Sequence, residues 1–277
     1  AEQKTTALAE RKGAELNVAL TRPDFLKPGE KRGTENISSE DLELPRLGLA
    51  QDKAKVITEG TAQFIDGLKA GDLYNTLSQR IYGRGPLDFF VIREDKPRFV
   101  EFRPLEEGGG IVDMNVPADD PRAQWGMPTP QNPKGKPVAT RFIDYIAVLI
   151  PELEIVALSF KSSGLKAARQ LNGLITMRQS DLFAGRYTVT TAIKHDPKPH
   201  WIFKITNSMT VDDFTPQNHR GWLGREAFQM AEKFYEDFKD KAVRIDVDEE
   251  ADPTAGADTM ASNPAEAGDA EFEPTQM

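Results

Sequence analysis

Alternating apolar and polar positions predict several strands in the second half of the chain. Residues 154–161, 186–194 and 200–206 each place apolar side chains on one parity and polar side chains on the other. This alternation is typical of strands with one buried face. Residues 141–150 are apolar at both parities and predict a central strand buried on both faces. A proline-containing link at 196–199 joins the last two strands into a hairpin.

Apolar residues spaced three and four apart predict two helices. The first follows Ser163, a residue type that caps helix N-termini. The second covers residues 224–242 and is strongly amphipathic. Its apolar face consists of Ala227, Phe228, Ala231, Phe234, Tyr235 and Phe238.

Shorter apolar stretches predict strands in the first half of the chain. They lie at 77–82, 87–92 and 99–104, and the last is expected to pair with 87–92 across a turn at 95–97. Six prolines between 117 and 137 predict an extended loop.

The element order is strand, long loop, strand, strand, helix, strand, strand, which is the order of an OB barrel. We therefore predict an α+β fold of mainly antiparallel β structure, with an OB-like barrel, an inserted helix and a C-terminal amphipathic helix. An antiparallel sheet packed by helices in another α+β arrangement would produce the same order of elements.

Charge is concentrated at one end of the chain. The 277 residues have a net charge of −9, and residues 246–277 hold ten acidic and no basic residues. Residues 1–245 therefore hold 35 basic and 34 acidic residues. These patterns predict a flexible N-terminal arm over 1–35, an OB-like domain over 36–245 and a disordered acidic tail over 246–277. The tail is either solubilising or partner-binding, and the predicted partner contacts are Asp248, Glu249, Glu250 and Phe272.

Composition excludes several classes of protein. The chain has no cysteine, which excludes disulfides, thiolate catalysis and cysteine-based zinc sites. Its longest apolar stretch, 142–158, is interrupted by charged residues and a proline, and cannot span a bilayer. Residues 1–11 contain no apolar secretory segment. We therefore expect a cytoplasmic protein.

Catalytic motifs are largely lacking. The sequence contains no phosphate-binding GxxxxGK[ST], and His195, His200 and His219 lack the spacing of a zinc site. Residues 94–96 (Glu-Asp-Lys) match an element of metal-dependent nucleases, but Asp88, the nearest acid, lies about 20 Å away at strand rise. We expect a protein without enzymatic activity, cofactor or metal.

Basic residues with aromatic neighbours indicate a polyanionic ligand. Residues 161–225 hold ten basic and four acidic residues, a balance that suits phosphate binding but is also found on ordinary solvated faces. The predicted nucleic-acid contacts are outward cations on strands, cations in the proline-rich loop and two stacking aromatic residues. They are Lys161, Arg186, Lys194, Lys204, Arg122, Lys134, Lys136, Arg141, Trp125 and Tyr145.

Three stretches resemble a group of early proteins of tailed bacteriophages. They are 35–51 (ENISSEDLELPRLGLAQ), 71–75 (GDLYN) and 158–169 (LSFKSSGLKAAR). Some proteins of that group are similar to phage single-stranded DNA-binding proteins, which share an OB barrel and an acidic C-terminal tail. The resemblance covers residues 35–240 and carries over no catalytic residue. Such tails usually end in an aromatic residue, whereas here Phe272 is followed by five further residues.

Our leading hypothesis is sequence-nonspecific binding of single-stranded DNA in phage replication or recombination, in the cytoplasm of the infected bacterium. The acidic tail would serve autoinhibition or recruitment of phage replication or recombination proteins. We also expect a homo-oligomer. The alternative is a phage structural or interaction protein that forms a homo-oligomeric or virion contact. A third hypothesis is a DNA-mimicking inhibitor that acts through the tail.

Overall fold

The computed structural model describes residues 43–104, 107, 109–129, 132–150, 152–195, 198–208, 221–240 and 244–245. The predicted arm (1–35) and acidic tail (246–277) lie outside these residues. Two α-helices, α1 (Leu165–Arg178) and α2 (Arg225–Phe238), occur in the described part of the chain. The strands there are β1 (Glu43–Leu44), β2 (Leu47–Leu49), β3 (Leu73–Asn75), β4 (Ile81–Gly83), β5 (Leu87–Glu94), β6 (Arg98–Phe102), β7 (Ile111–Asp113), β8 (Ala139–Ile150), β9 (Glu154–Lys161), β10 (Tyr187–Lys194), β11 (His200–Asn207) and β12 (Arg244–Ile245).

The long strand β8 is the centre of a seven-stranded antiparallel sheet. On one edge it pairs with β5, where Asp88 lies opposite Ile150, and further along with β6, where Arg98 lies opposite Phe142. The prediction that 99–104 folds back onto 87–92 is wrong. The Asp95 amide donates to the Asp144 carbonyl at 2.9 Å, which keeps the chain on the edge of β8.

Two further pairings extend this sheet. β9 follows the other edge of β8 in register from Glu154 to Lys161, and β10 joins β5 to β11. The predicted hairpin of β10 and β11 is confirmed, as is the mainly antiparallel α+β class. The main path is therefore β11-β10-β5-β8-β9, with β6 beside β8 and β7 beside β6.

The sheet is open between β9 and β11, because the described residues contain no ladder that joins these two strands. The Phe160 and Phe203 rings meet there with centroids 5.5 Å apart. Residues 45–51 cross the same gap: Pro45 accepts from the Ala157 amide at 2.8 Å, and the Gln51 side chain bonds the backbone of Trp201. The expected barrel is therefore not closed by strand pairing.

Both faces of the large sheet are buried, which explains why residues 142–150 of β8 are all buried as predicted. On one face, α1 and the small sheet β2-β3-β4 cover a core that includes Phe89, Tyr145 and Leu158. On the opposite face, α2 covers Phe90 and Ile146. The predicted C-terminal amphipathic helix is thus confirmed, and its aromatic face packs on the sheet.

Candidate nucleic-acid interface

The proline-rich segment 114–138, here called the Trp125 loop, connects β7 to β8. Its base is anchored to the sheet, since the Val116 amide donates to the Phe99 carbonyl at 3.0 Å. Val116, Ala123 and Ala139 form a small buried cluster against Phe99. Residues 124–129 are all exposed. The loop therefore has a fixed base and a solvated tip.

Several hydrogen bonds organise the described part of the tip, including two between Asn132 and Lys136. The Gly126 amide donates to the Gly135 carbonyl at 2.8 Å, which brings the neighbours of Gly126 beside Lys134 and Lys136. Gly135 has a φ of +60°, and a Cβ there would lie 2.0 Å from the Gly126 oxygen. Only glycine permits this close approach without a backbone shift. An aromatic residue, Trp125, and two lysines therefore share one small surface.

Large apolar side chains are unusually exposed on this loop. Trp125 is 61% exposed, Met127 89% and Val138 59%. The sequence prediction included Trp125 but missed Met127 and Val138, whose signal is the presence of apolar residues within a proline- and glycine-rich segment. Three large exposed apolar side chains within one loop are a feature that often accompanies binding sites.

The charge around the tip is positive. Residues 121–143 contain Arg122, Lys134, Lys136 and Arg141 and no acidic residue. Arg141 is exposed near the start of β8, opposite Phe99. Partial burial, and to a smaller extent repulsion from Lys134, lowers the pKa of Lys136. An anion that approached the tip would relieve this repulsion.

Arg122, in contrast, is neutralised within the loop base. Its guanidinium lies 2.6 Å from Glu101, 2.9 Å from Asp120 and 3.3 Å from Asp113. Hydrogen bonds to Asp120 and then to Glu101 raise its pKa. Asp120 also accepts from the Arg122 amide at 2.8 Å. Arg122 therefore stabilises the loop, and the expectation that it serves as a phosphate contact has to be corrected.

Tyr145 does not belong to the exposed surface. It is fully buried, packs edge-on against Phe160 and donates to Asn172 Oδ1 at 2.7 Å. Burial raises its pKa. The prediction that Tyr145 stacks on bases is wrong, because α1 covers that face of β8.

The four predicted strand cations do not form one continuous patch. Lys161 lies opposite Phe142, near the start of β8. Arg186 precedes Tyr187, which pairs with Phe89 near the other end of β8. Phe142 and Ile150 are eight residues apart, or about 26 Å at strand rise. The face between them is covered by α2. Lys204 is exposed opposite Thr190, and Lys194 pairs with His200.

Arg186 and Lys161 make defined intramolecular contacts. Both Nε and Nη2 of Arg186 donate to Asp88, at 3.0 and 2.6 Å. The ammonium of Lys161 lies 5.5 Å from the Phe102 ring centroid and 5.7 Å from that of Phe142. These contacts make Arg186 a structural residue, whereas Lys161 remains partly exposed at the sheet end.

The described residues contain no group of three or more His, Cys, Asp or Glu side chains placed to hold a metal ion. Asp88 and Glu94, the acids considered for a nuclease, lie at opposite ends of β5. In the described part of the chain, no helix is both long and apolar enough to cross a membrane. The tail residues Asp248, Glu249, Glu250 and Phe272 lie outside the described residues.

A protein-family model for the Pam3 phage gp34-like protein matches residues 11–244. The chain belongs to this family. The bacteriophage origin expected from the sequence is thereby confirmed, and the gp34-like match ends two residues before the acidic tail begins at Asp246. Comparisons with curated proteins and with solved structures found no match.

Proposed function

We propose that this gp34-like protein binds single-stranded DNA without sequence specificity and is not an enzyme. The pairing order β11-β10-β5-β8-β9, with α1 inserted between β9 and β10, supports relating the domain to the OB fold. OB folds are partly open barrels that bind oligonucleotides on a strand face and adjacent loops. In this proposal the Trp125 loop, which lies between β5 and β8 in the chain, corresponds to the loop between the first two strands of an OB fold.

The observation that carries the proposal is the composition of the loop tip. Trp125 is 61% exposed and lies next to Gly126, whose amide is bonded to Gly135 between Lys134 and Lys136. An exposed indole stacks on any base, and lysines contact phosphates irrespective of sequence. A flexible single strand exposes base faces and phosphates together, whereas a duplex keeps its base faces stacked inside.

Other residues have supporting roles in this proposal. Arg141, Lys161, Lys194 and Lys204 contribute positive potential that attracts the strand. The acidic tail competes with DNA for these cations, or recruits phage replication or recombination proteins. Binding takes place in the cytoplasm of the infected bacterium, and protomers assemble as homo-oligomers along the strand.

The test is fluorescence anisotropy of a labelled oligo-dT across a salt series. Intact protein should bind with an affinity that falls steeply with salt, and a variant ending at Ile245 should bind more tightly. Trp125→Ala should weaken binding by the value of one stacked base, about 1 to 3 kcal/mol. Leu77→Ala is the matched control, because Leu77 is 69% exposed on the distant small sheet. Absence of binding at low salt by both the intact protein and the variant ending at Ile245 would overturn the proposal.

The exposed apolar residues of the Trp125 loop favour one alternative. The exposure of Trp125, Met127 and Val138 also suits a homo-oligomeric or virion contact. In that case Met127→Glu should dissociate an oligomer seen by analytical ultracentrifugation, and oligo-dT should not bind. Under the DNA-binding proposal, oligo-dT binds to the intact protein.

A further inference from the structure

A second aromatic and basic surface lies far from the Trp125 loop. The guanidinium carbon of Arg84 sits 4.4 Å from the centroid of the Trp201 ring. The Arg84 side chain is 56% exposed, whereas Trp201 is only 9% exposed. The arginine therefore covers the indole on one side and faces solvent on the other.

This arrangement is rigidly supported. The Gln51 side-chain amide donates to the Trp201 carbonyl and accepts from the Trp201 amide, both at 3.0 Å. Gly71, with a φ of +87°, approaches so closely that a Cβ would lie 2.6 Å from the ring. Arg84 Nη2 donates to the Ala70 carbonyl at 3.1 Å. Both layers of the stack are thus held before any ligand arrives.

The surroundings of the stack suit a nucleotide. Ile193 lies opposite Trp201 on β10 and is 45% exposed. The exposed Lys198 lies in the link between β10 and β11, three residues before Trp201, whereas Lys194 points to the opposite face of the hairpin from Ile193. Arg84 Nε forms a long ion pair with the Asp72 carboxylate at 3.9 Å, too long for a hydrogen bond, and the Arg84 side chain stays 56% exposed. A planar group can stack on the open side of the guanidinium while its phosphate approaches Lys198.

The position of the stack fits a strand that runs along the domain. Leu87, three residues after Arg84, pairs with Val189 at the Ile150 end of β8, whereas the Trp125 loop joins the sheet at the Ala139 end. β8 has 12 residues, so its ends are about 36 Å apart. That span corresponds to about eleven nucleotides at the ~3.4 Å rise of a base-stacked strand, and to fewer nucleotides where the bases unstack onto the protein.

We propose that Arg84, stacked on Trp201, is a second base-stacking contact for single-stranded DNA. The inference rests on the proposed function, which the Trp125 tip carries independently. The DNA strand then has two protein contacts, Trp125 and Arg84, at opposite ends of the large sheet. A long strand reaches both contacts, and a short one reaches only one of them.

The test compares oligo-dT of about twenty and about five nucleotides. Arg84→Gln should weaken binding of the longer strand about five-fold or more, the loss expected for one stacked base, and leave the shorter strand unaffected. Arg84→Lys should show a similar loss with an unchanged salt slope, because it keeps the charge but not the planar group. If Arg84→Gln lowers the melting temperature, its loss of binding could come from loss of folding. The binding of the Arg84→Lys variant then tests the proposal.

The matched control is Arg80→Gln. Arg80 also lies over an aromatic ring, 5.6 Å from the Tyr82 centroid, but pairs with Glu152 at 2.5 Å. Equal loss in the Arg80 and Arg84 variants, or no loss in either, would overturn this inference. If Trp125→Ala weakens binding while both Arg84 variants bind normally, the proposed function stands and only the second contact fails. Absence of binding by both the intact protein and the variant ending at Ile245 overturns both.

Discussion

The Trp125 tip and the α2-covered face of the large sheet both combine basic and aromatic residues, but they use them differently. On the covered face, Arg98 pairs with Asp144 at 2.6 Å, Arg186 pairs with Asp88, and Phe90 packs against α2. At the tip, Trp125 is exposed and no acidic residue occurs between 121 and 143. Under the DNA-binding proposal, the pairing of each cation, more than the number of cations, distinguishes the binding surface from the structural one.

The largest expected effect is on the covered face. Phe90 is fully buried and contacts the Phe234 ring of α2 with centroids 6.4 Å apart. Phe90→Ala should lower the free energy of unfolding by about 3 to 5 kcal/mol, because it leaves a cavity. Urea denaturation measures this loss. If the covered face is purely structural, the folded fraction of the variant still binds oligo-dT like the intact protein.

A smaller effect is expected at the buried ion pair of the same face. Asp144 is 1% exposed and accepts from Arg98 and from Ser159. Asp144→Asn should cost about 3 kcal/mol of unfolding free energy, because Arg98 then keeps a largely buried charge without its carboxylate.

The control for Asp144 is Glu152→Gln, which removes a carboxylate from the exposed pair with Arg80 and should cost less than about 1 kcal/mol. Equal losses in the two variants, measured by urea denaturation, would contradict the distinction between buried and exposed pairs.

At the tip, removal of charge should act on binding and spare stability. In Lys134→Gln/Lys136→Gln, the slope of log affinity against log salt should fall by about 1.4, or ~0.7 per phosphate contact on a single strand. Lys239→Gln is the control, since Lys239 pairs with Glu236 at 2.5 Å on α2. A slope equal to that of the intact protein would show that the tip lysines do not contact phosphates.

The smallest expected effect is a pH dependence. Because the pKa of Lys136 is lowered, this residue loses its positive charge at a lower pH than an ordinary lysine. As pH rises into the alkaline range, oligo-dT affinity should therefore decrease. Lys136→Arg should flatten the profile, since arginine stays protonated. Identical profiles for the two proteins, measured by anisotropy at constant ionic strength, would contradict a role for Lys136.

Sequence patterns predicted the local features of this fold well. The alternation in β9, β10 and β11 and the helical spacing of α2 follow from residues close together in the chain. The sequence could not show that β6 continues along β8, because the Asp95 to Asp144 hydrogen bond joins distant segments.

The same limit applies to the candidate site. Asp88 and Arg186 are 98 residues apart, so the sequence could not show that this cation is neutralised. Tyr145 lies in a segment that is apolar at both parities, which already favoured burial over stacking. Trp125, in contrast, could be predicted as exposed because its proline-rich surroundings cannot form a buried strand.

The most direct test of the central claim is intrinsic fluorescence during titration with unlabelled oligo-dT. The chain has three tryptophans; Trp125 is 61% exposed, Trp201 is buried, and Trp222 is partly buried. Stacking of a base on Trp125 should quench the emission of intact protein, and Trp125→Phe should lose most of that quenching while the ring still supports binding. Equal quenching in the two proteins, or DNA binding without any quenching, would contradict the assignment of the Trp125 tip as the DNA contact.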